Sequence, residues 1–329
     1  MTCACPNCGS GDLVEFLSNE DMRIEALIRA LFVLDRTERN PGRTERKDLT
    51  EFAHGASARL LECRRCAILA RDEDQSSAVA AYVEDQYDPV VLERLLPRYV
   101  AAFRSRETPY RALLKPAAEV LEIGPHLGAF LQVATEWGWK PVSVDVGKDT
   151  TRFVIDHGYI AYNQRLEECG FPDGCFNGVF VWNCFEQIPD PGRTLAEIHR
   201  ILVPGGPLVI RTPNALFYSV CERFMRSRDP GEVSNWVIRA LGYNNLLAFP
   251  YLYGYTSMTL DEMARRQGFT CESAINSELI TLPFPELLDW IVEENRATAA
   301  ALQDWSELAP FAARGQLTGP WMELVYRAV

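Results

Sequence analysis

Short apolar runs alternate with longer amphipathic segments from about residue 118 onward. An apolar run of four or five residues between turn residues predicts a buried strand, and a hydrophobic period near 3.6 residues predicts a helix. The alternation of the two predicts the α/β class, with a parallel sheet and right-handed crossovers. Ligands bind such sheets beyond the carboxyl ends of the strands. The predicted strands are 120–123, 142–145, 178–182 and 208–211, and the predicted helices are 128–137, 151–157 and 193–201.

The composition is that of a globular protein, since 47% of the 329 residues are hydrophobic and 24% are charged. No stretch is long and apolar enough to span a membrane, so no membrane partner is expected. The N-terminus has no basic and apolar signal segment, which predicts a cytoplasmic location. A formal net charge of −12 disfavours nucleic acid as a partner, because an acidic surface repels the phosphate backbone.

Two C-x2-C pairs lie in the N-terminal region, Cys5 with Cys8 and Cys63 with Cys66. A two-residue gap turns both thiolates of a pair to one side of a tight turn, and two such turns complete a tetrahedron around zinc. Cys3 could replace Cys5 as a ligand, and an iron–sulfur cluster is the alternative group for four thiolates. Four thiolates leave no open coordination position, so we expect a structural Zn²⁺.

The insert between the two cysteine pairs contains a predicted amphipathic helix that begins near Asp21. We expect its apolar face to pack on the main domain or on a second subunit, and a homodimer is one arrangement that this face would allow. A second amphipathic helix is predicted at 285–308, where it could pack on the sheet or form a dimer contact. The apolar face of the first helix consists of Ile24, Leu27, Ile28 and Leu31.

The turn after the first predicted strand departs from the dinucleotide-binding pattern G-x-G-x-x-G. Counting from Gly124, His126 replaces the second glycine, and Gly128 comes one residue too early for the third. The bulk of Pro125 and His126 would obstruct the close approach of a pyrophosphate. The turn therefore disfavours an NAD-dependent oxidoreductase.

Two acidic residues define the ligand that this turn would accept. Glu122 precedes the turn, and a carboxylate there repels phosphate but attracts a cationic amino group. Asp145 ends the second predicted strand, where an acid binds the hydroxyls of a ribose. The ligand should carry a ribose without phosphates and an ammonium group, and S-adenosylmethionine meets these demands.

At these residues the chain resembles the class I S-adenosylmethionine-dependent methyltransferases, over about residues 85–275. The segment Leu121-Glu-Ile-Gly-Pro-His-Leu-Gly128 is similar to the first motif of the family, with His126 where a glycine is common. Gln187 stands where the family often has a histidine. A cysteine knuckle before such a domain also occurs among sugar and natural-product methyltransferases. The later segments that resemble the family are 171–179, 182–191, 195–206, 212–214, 254–260 and 267–269, and 319–326 resembles its closing antiparallel strand.

The resemblance implies a Rossmann-like, mostly parallel seven-stranded sheet with a closing antiparallel strand. A small zinc-ribbon-like module at the N-terminus and a helical cap would be added to this α/β domain. The predicted boundaries are 1–80 for the zinc-binding module, 81–117 for a helical linker and 118–329 for the methyltransferase domain, with the cap at 216–255.

The resemblance also implies the residues that bind the cofactor. The glycines shape the loop, the acids face the ammonium group and the ribose, and the residues after the later strands lie near the adenine and the sulfonium. An aromatic residue before the domain would close over the cofactor. The predicted cofactor-binding residues are Tyr87, Glu122, Gly124, Pro125, Gly128, Asp145, Val146, Leu166, Trp182 and Asn183.

Methyl transfer is a displacement at a cationic sulfur, so positioning can supply much of the rate and a base is needed only for some acceptors. His126 is the first candidate for that base, because it lies on the cofactor loop; the alternative is a histidine that only fills the loop. Asn214 and Tyr255 are candidates for orienting the acceptor.

The cap at 216–255 is rich in aromatic residues and is longer than a connection requires. Its place after the fifth strand predicts a lid over the crevice, suited to a flat or partly apolar small-molecule acceptor. The alternative is a second hydrophobic cluster under a long loop. Arg223 and Arg226 could meet an anionic acceptor or face solvent.

The predicted function is therefore methyl transfer from S-adenosylmethionine to a small molecule of natural-product or sugar metabolism, with the accepting atom undetermined. An RNA methyltransferase with a zinc module is the second hypothesis, and it predicts affinity that falls steeply with salt. A non-catalytic zinc interaction protein on a methyltransferase fold is the third. The intact Asp145 and the turn Pro204-Gly-Gly206 argue against such a degenerate site.

Overall fold

The computed structural model describes residues 4–38, 58–72, 89–105, 107–227, 235–244, 246–249, 252–277 and 306–329. Cys3, the alternative metal ligand, Tyr87 and residues 285–305 of the second predicted amphipathic helix lie outside these ranges. Within the described ranges, no helix has the length and hydrophobicity that a membrane span requires.

The helices and strands follow the chain in this order. The strands are β1 (Leu13–Leu17), β2 (Leu60–Cys63), β3 (Leu69–Arg71), β4 (Glu119–Ile123), β5 (Lys140–Asp145), β6 (Ile160–Asn163), β7 (Gly178–Trp182), β8 (Pro207–Pro213), β9 (Tyr253–Gly254), β10 (Phe269–Ser277) and β11 (Trp321–Ala328). The helices are α1 (Asn19–Glu38), α2 (Pro89–Arg104), α3 (Glu107–Arg111), α4 (Ala129–Glu136), α5 (Lys148–Asp156), α6 (Pro191–Ile201), α7 (Ala215–Arg226), α8 (Asn235–Tyr243), α9 (Ser257–Arg266) and α10 (Ala309–Ala312).

The main sheet has seven strands in the order β10-β11-β8-β7-β4-β5-β6. The pairs β4–β5, β4–β7, β5–β6 and β7–β8 are parallel, whereas β11 is antiparallel to both β8 and β10. From β4 the chain adds β5 and β6 on one side and then β7 and β8 on the other, so the strand order reverses at β4. Sheets of this kind bind ligands at that point. The Rossmann-like α/β fold with a closing antiparallel strand is confirmed.

Local sequence accounts for the central elements of this sheet. Every residue of β7 and β8 is buried, as expected for strands that helices cover on both faces. The helix α6 begins after Asp190, whose carboxylate accepts a hydrogen bond from the backbone N–H of Arg193 at 3.0 Å. Pro191 occupies the first turn of that helix, where its missing N–H has no cost.

A second, four-stranded sheet has the order β1-β2-β3-β9. Its first three strands belong to the N-terminal region, and its fourth comes from the segment after the cap helices. We call residues 4–38 and 58–72 the cysteine module. This module therefore shares a sheet with the methyltransferase-like domain.

The predicted apolar face of the helix in the cysteine module is wrong in part. Ile24 is 47% exposed and Leu27 is 59% exposed, so neither packs on the described part of the main domain. The helix α1 instead buries Met22, Glu25 and Arg29. A helical period does not distinguish a face of methionine with buried polar groups from a face of isoleucine and leucine.

Several aromatic residues of the cap lie in a hydrophobic cluster of their own, whereas Tyr253 and Tyr255 lie in the core cluster of the main sheet. Phe217 and Tyr218 are fully buried and Phe249 is 3% exposed, and they pack with Leu17 and Met22 of the cysteine module. This agrees with the second of the two sequence interpretations, a separate hydrophobic cluster.

Arg223 and Arg226 of the cap form ion pairs within the protein, so they are not simply exposed to solvent. Arg223 forms an ion pair with Glu62, and Arg226 forms one with Asp21 at 2.8 Å. These pairs join α7 to the cysteine module.

Candidate functional site

The carboxyl ends of β4, β5 and β7 meet at one crevice, and the β4 turn enters it with two left-handed glycines. Gly124 has φ +70° and Gly128 has φ +71°, and the Gly124 N–H donates to the Val144 carbonyl at 2.9 Å. A Cβ at Gly124 would lie 2.6 Å from Cys184 Sγ. A side chain at this position would therefore have to displace the Cys184 side chain as well as adopt an unfavourable backbone conformation.

Glu122 and Asp145 lie at the same crevice, as the sequence predicts. Glu122 is 2% exposed, and its Oε2 has no hydrogen-bond partner among the described residues. Burial raises the pKa of Glu122 well above its usual value, and the nearby Asp145 raises it further. Burial also raises the pKa of Asp145, which is offset by the backbone N–H of Gly147, a donor to Oδ1 at 2.9 Å. The two acids are thus close to each other, and no cation is among the causes that change the pKa of Glu122.

His126 is partly buried on this loop, in a left-handed conformation with φ +49°. Its ring contacts the edge of Tyr99, with the ring centroids 5.9 Å apart. Burial lowers the pKa of His126 to about 4. The imidazole is therefore neutral at pH 7 but only weakly basic, which makes it a poor general base at that pH.

Two further groups at the crevice were not among the sequence predictions. The Cys184 thiol donates to the Ile123 carbonyl at 3.2 Å, and burial raises its pKa, with added effects from Glu186, Asp145 and Glu122. Glu186 is 2% exposed and accepts a hydrogen bond from the Thr212 hydroxyl at 3.0 Å. The signal in the sequence is an acid four residues after a buried strand, within the segment 182–191 that resembles the family.

The residues at the end of β7 have different surroundings. The Trp182 ring lies in the core, with its centroid 5.4 Å from Phe103 and 5.1 Å from Tyr110. Asn183 is half-buried with φ +57°, and its side-chain oxygen accepts a hydrogen bond from Arg211. Cofactor contact by the Trp182 ring would require this packing to open, whereas Asn183 is accessible.

Arg211 lies behind Asn183 and is fully buried. Its guanidinium stacks on Trp321 at 4.2 Å and lies 3.3 Å from a carboxylate oxygen of Glu323. Tyr110 also donates a hydrogen bond to Glu323. The charge of Arg211 is thus balanced within the fold, and the residue holds the side-chain oxygen of Asn183.

The other predicted cofactor residues are placed as follows. Pro125 is buried in the loop, Val146 is partly buried just after Asp145, and Leu166 is 3% exposed in the core cluster beneath the crevice. Their roles toward a cofactor stay predictions.

Asn214 and Tyr255 pair as a parallel bridge, but their side chains differ. Asn214 is fully buried and caps α7: its oxygen accepts from the Leu216 N–H, and its amide donates to the carbonyls of Leu317 and Gly319. These bonds disfavour an acceptor role for Asn214. The Tyr255 hydroxyl is fully buried without a partner among the described residues, so it remains available to a ligand.

The four predicted metal ligands come together. Cys5 Sγ lies 3.5 Å from Cys66 Sγ, and Cys8 Sγ lies 3.6 Å from Cys63 Sγ. All four sulfur atoms lie within 4.8 Å of one another. Zinc–sulfur bonds of about 2.3 Å place the sulfurs of a tetrahedral site roughly 3.8 Å apart, so this cluster fits such a site.

Comparison with known families adds to this geometry. A family model described as a methyltransferase domain matches residues 92–274, which is more than half of the 329 residues. Among curated proteins, the chain is 27% identical over 104 residues to phosphoethanolamine N-methyltransferase 2 of Caenorhabditis elegans, covering 29% of this chain and 24% of that protein. It is 27% identical over 107 residues to the ubiquinone/menaquinone biosynthesis C-methyltransferase UbiE of Vibrio cholerae, covering 29% and 41%.

A third relative, from Mycolicibacterium smegmatis, is named "Probable S-adenosylmethionine-dependent methyltransferase" and is 26% identical over 144 residues. That match covers 40% of this chain and 54% of the relative. The matched part of the chain thus spans 24% to 54% of the length of these curated relatives.

Solved structures of similar fold include phosphoethanolamine N-methyltransferase 2 of Haemonchus contortus in complex with S-adenosyl-L-methionine. It matches with TM-score 0.46 and 16% identity, over 76% of this chain and 60% of that chain. A methyltransferase structure from Archaeoglobus fulgidus matches with TM-score 0.45 and 19% identity, over 72% of this chain and 98% of that one.

Proposed function

This chain belongs to the methyltransferase domain family, and from that premise we propose that it transfers a methyl group from S-adenosylmethionine to a small-molecule acceptor in natural-product or sugar metabolism. The observation that carries the proposal is the pair Glu122 and Asp145. A buried acid with an unpartnered carboxylate oxygen, beside a second and partly buried acid, is costly unless a cationic ligand binds there.

The crevice residues fit S-adenosylmethionine. Glu122 would accept hydrogen bonds from the ammonium group, and Asp145 would accept them from the ribose hydroxyls. Gly124 and Gly128 adopt the left-handed conformations that form the turn beside these acids. When bound, the cofactor supplies an electrophilic methyl group on a cationic sulfur.

The contribution of the chain to the reaction is positioning and the exclusion of water. The neutral His126 leaves the loop without a strong base at pH 7, which suits an acceptor that is already deprotonated or that needs no base. Glu186 is buried near Cys184 and near the buried Tyr255, and we propose that Glu186 and Tyr255 face the acceptor side of the crevice.

Calorimetry with S-adenosylmethionine tests the cofactor assignment. We expect Asp145→Asn to weaken binding roughly 10- to 100-fold, because a hydrogen bond to a charged group contributes about 1.5–3 kcal/mol. Asp156→Asn is the matched control, because Asp156 is an exposed acid on the adjoining helix α5. No binding by the wild-type protein, or equal binding by Asp145→Asn, would reject the assignment.

A small acceptor, rather than RNA, is supported by the net charge of −12. It is also supported by the ion pairs that Arg223 and Arg226 form within the protein, which leave these cations less available for phosphate. Filter retention of RNA at low salt checks this part of the proposal. We expect no retention, and retention that falls steeply with added salt would favour an RNA substrate.

We further propose that Cys5, Cys8, Cys63 and Cys66 hold a structural Zn²⁺. The sulfur spacing supports it, and four thiolates leave no position for a substrate. Elemental analysis of the purified protein should give about one zinc per chain. Cys63→Ser should lower that content, whereas Cys271→Ser, which changes a cysteine outside the cluster, should not. Iron and acid-labile sulfide in place of zinc would overturn the assignment.

A further inference from the structure

We infer that the metal-binding knuckle of the cysteine module positions the acceptor wall of the methyl-transfer site, defined as residues 252–255 together with Glu186. The name of this wall rests on the proposed function, but its connection to the knuckle rests on hydrogen bonds and packing alone. The metal would therefore be required for the site without contacting any substrate.

The connection begins at the second cysteine pair, which forms the turn between β2 and β3. The Cys63 N–H donates to the Ile68 carbonyl at 3.0 Å, and the Ala67 N–H donates to the Cys63 carbonyl at 2.8 Å. Ile68 is fully buried in the same apolar cluster as Cys5 and Cys63. A metal bound to the thiolates would therefore fix the start of β3.

The next step is the antiparallel pairing of β3 with β9. Leu69 pairs with Gly254, and the Arg71 N–H donates to the Leu252 carbonyl at 2.8 Å. A Cβ on Gly254 would lie 3.1 Å from each of Leu69 Cβ, Ala215 Cβ and Phe249 Cε1. The cysteine module, the helix α7 and the wall thus pack closely around Gly254, which leaves no room for a larger side chain.

The last step runs from β9 into the crevice. The Leu252 N–H donates to the Glu186 carbonyl at 3.3 Å, and the Tyr253 hydroxyl donates to the Pro189 carbonyl at 3.1 Å. On the other side, the Tyr255 carbonyl accepts from the Ala215 N–H at 2.8 Å. The wall is therefore held between the segments that follow β7 and β8, and β3 lies behind it.

The first cysteine pair contacts the main domain at a place other than β9. The guanidinium of Arg266, at the end of α9, donates to the Asn7 carbonyl within the first cysteine pair. In contrast, no hydrogen bond or ion pair between described residues joins the cysteine module to β4 or β5. The connection therefore favours the acceptor wall over the cofactor acids.

Amide hydrogen exchange of the full-length protein, before and after removal of the metal with a chelator, tests the inference. We expect exchange of peptides covering 252–256 and 185–188 to rise at least tenfold after removal. Peptides covering 120–128 and 142–147 should change less than threefold. Unchanged exchange at 252–256, or an equal increase in both sets of peptides, would overturn the inference. Because exchange requires no cofactor, a failure of S-adenosylmethionine to bind would reject the proposed function and leave this result readable.

A second variant separates the connection from the metal site itself. Gly254→Val keeps all four cysteines but has no room for its side chain, so we expect full metal content with fast exchange at 252–256. Gly192→Val is the matched control, because the nearest atom to a Cβ there lies 3.8 Å away. Protected amides at 252–256 in Gly254→Val, or equal deprotection in Gly192→Val, would contradict the inference.

Discussion

The protein contains two pairs of neighbouring carboxyl groups whose surroundings differ. Glu122 lies with Asp145 in the crevice, and Glu25 lies with Glu222 where the cysteine module meets the cap helices. In both pairs, burial raises the pKa of a carboxyl and the neighbouring acid raises it further. The difference lies in the donors and cations around each pair.

In the pair beside the cap, the fold satisfies Glu25, whereas Glu222 Oε1 has no hydrogen-bond partner among the described residues. Both oxygens of Glu25 accept hydrogen bonds from the Tyr218 hydroxyl, at 2.8 Å and 2.9 Å, and one accepts from the Ala248 N–H at 2.7 Å. Arg71 and Arg226 lower the pKa of Glu25, which burial nevertheless raises to about 7. These contacts connect the module to the cap helices.

The crevice pair has no such cations near Glu122, and its unpartnered oxygen is a cost that the free protein bears. Unsatisfied buried groups in a folded protein concentrate where a ligand completes them. Arg226 thus lowers the pKa of both acids of the cap pair, whereas no cation offsets the raised pKa of Glu122, as expected of an acid that binds a cationic ligand. This difference predicts opposite responses to mutation.

The largest effect is expected in the crevice at Gly124→Ala. The substitution combines a left-handed backbone with a contact of 2.6 Å to Cys184 Sγ. We expect a loss of about 2–4 kcal/mol in unfolding free energy, measured by urea denaturation, and no cofactor binding. Gly158→Ala is the control, since that glycine has φ +86° but no atom within 4 Å of a Cβ. Equal losses in the two variants would show that crowding by Cys184 is unimportant.

Glu25 of the cap pair should make the unfolding free energy depend on pH. Glu25 has a pKa of about 7 when folded, against a usual value of 4.5, so the folded state holds more protons between these values. The stability contributed by the protonated form is present below about pH 4.5 and is lost as pH rises to about 7, by up to roughly 3 kcal/mol. Glu25→Gln should flatten the fall in unfolding free energy over this range, while the exposed Glu20→Gln should not. An unchanged slope in Glu25→Gln would contradict this.

Glu122→Gln should raise the stability of the protein but weaken its binding of the cofactor. Removing a buried, unpartnered acid should raise the unfolding free energy by about 1 kcal/mol at pH 8, because above its unfolded pKa this acid costs free energy in the folded state whether it is protonated or charged. The same change should weaken S-adenosylmethionine binding about tenfold, because the ammonium group loses a charged partner. A variant that is both less stable and equally tight in binding would remove the distinction between the two acid pairs.

The smallest effect is expected at His126. With a pKa of about 4 it does not change charge between pH 6.5 and 8, so His126→Asn should alter cofactor affinity less than threefold and leave the pH dependence of that affinity the same as in the wild-type protein. An inflection near pH 6.5 that disappears in His126→Asn would restore the histidine as a titrating base.

The main sheet could be predicted from the sequence because its signals are local. The predicted strand 178–182 coincides with β7, and the helix predicted at 193–201 lies within α6. The glycine turn, the acid that ends β5 and the four clustered thiols also follow from short spacings.

The remaining features depend on contacts between distant parts of the chain. The pairing of β3 with β9 joins segments that are more than 180 residues apart, and a strand of two residues has no recognisable period. The exposure of Ile24 and Leu27 and the ion pair of Arg223 with Glu62 depend on where the module docks. Residue type alone does not determine this.

The central claim is that the unpartnered acid Glu122 is reserved for a cationic cofactor. Calorimetric titration of S-adenosylmethionine at pH 6, in two buffers of different ionisation enthalpy, measures the protons released on binding. Because burial raises the pKa of Glu122 and a bound ammonium group would lower it, we predict proton release by the wild-type protein and none by Glu122→Gln. Binding without proton release, or equal release by both proteins, would contradict the account.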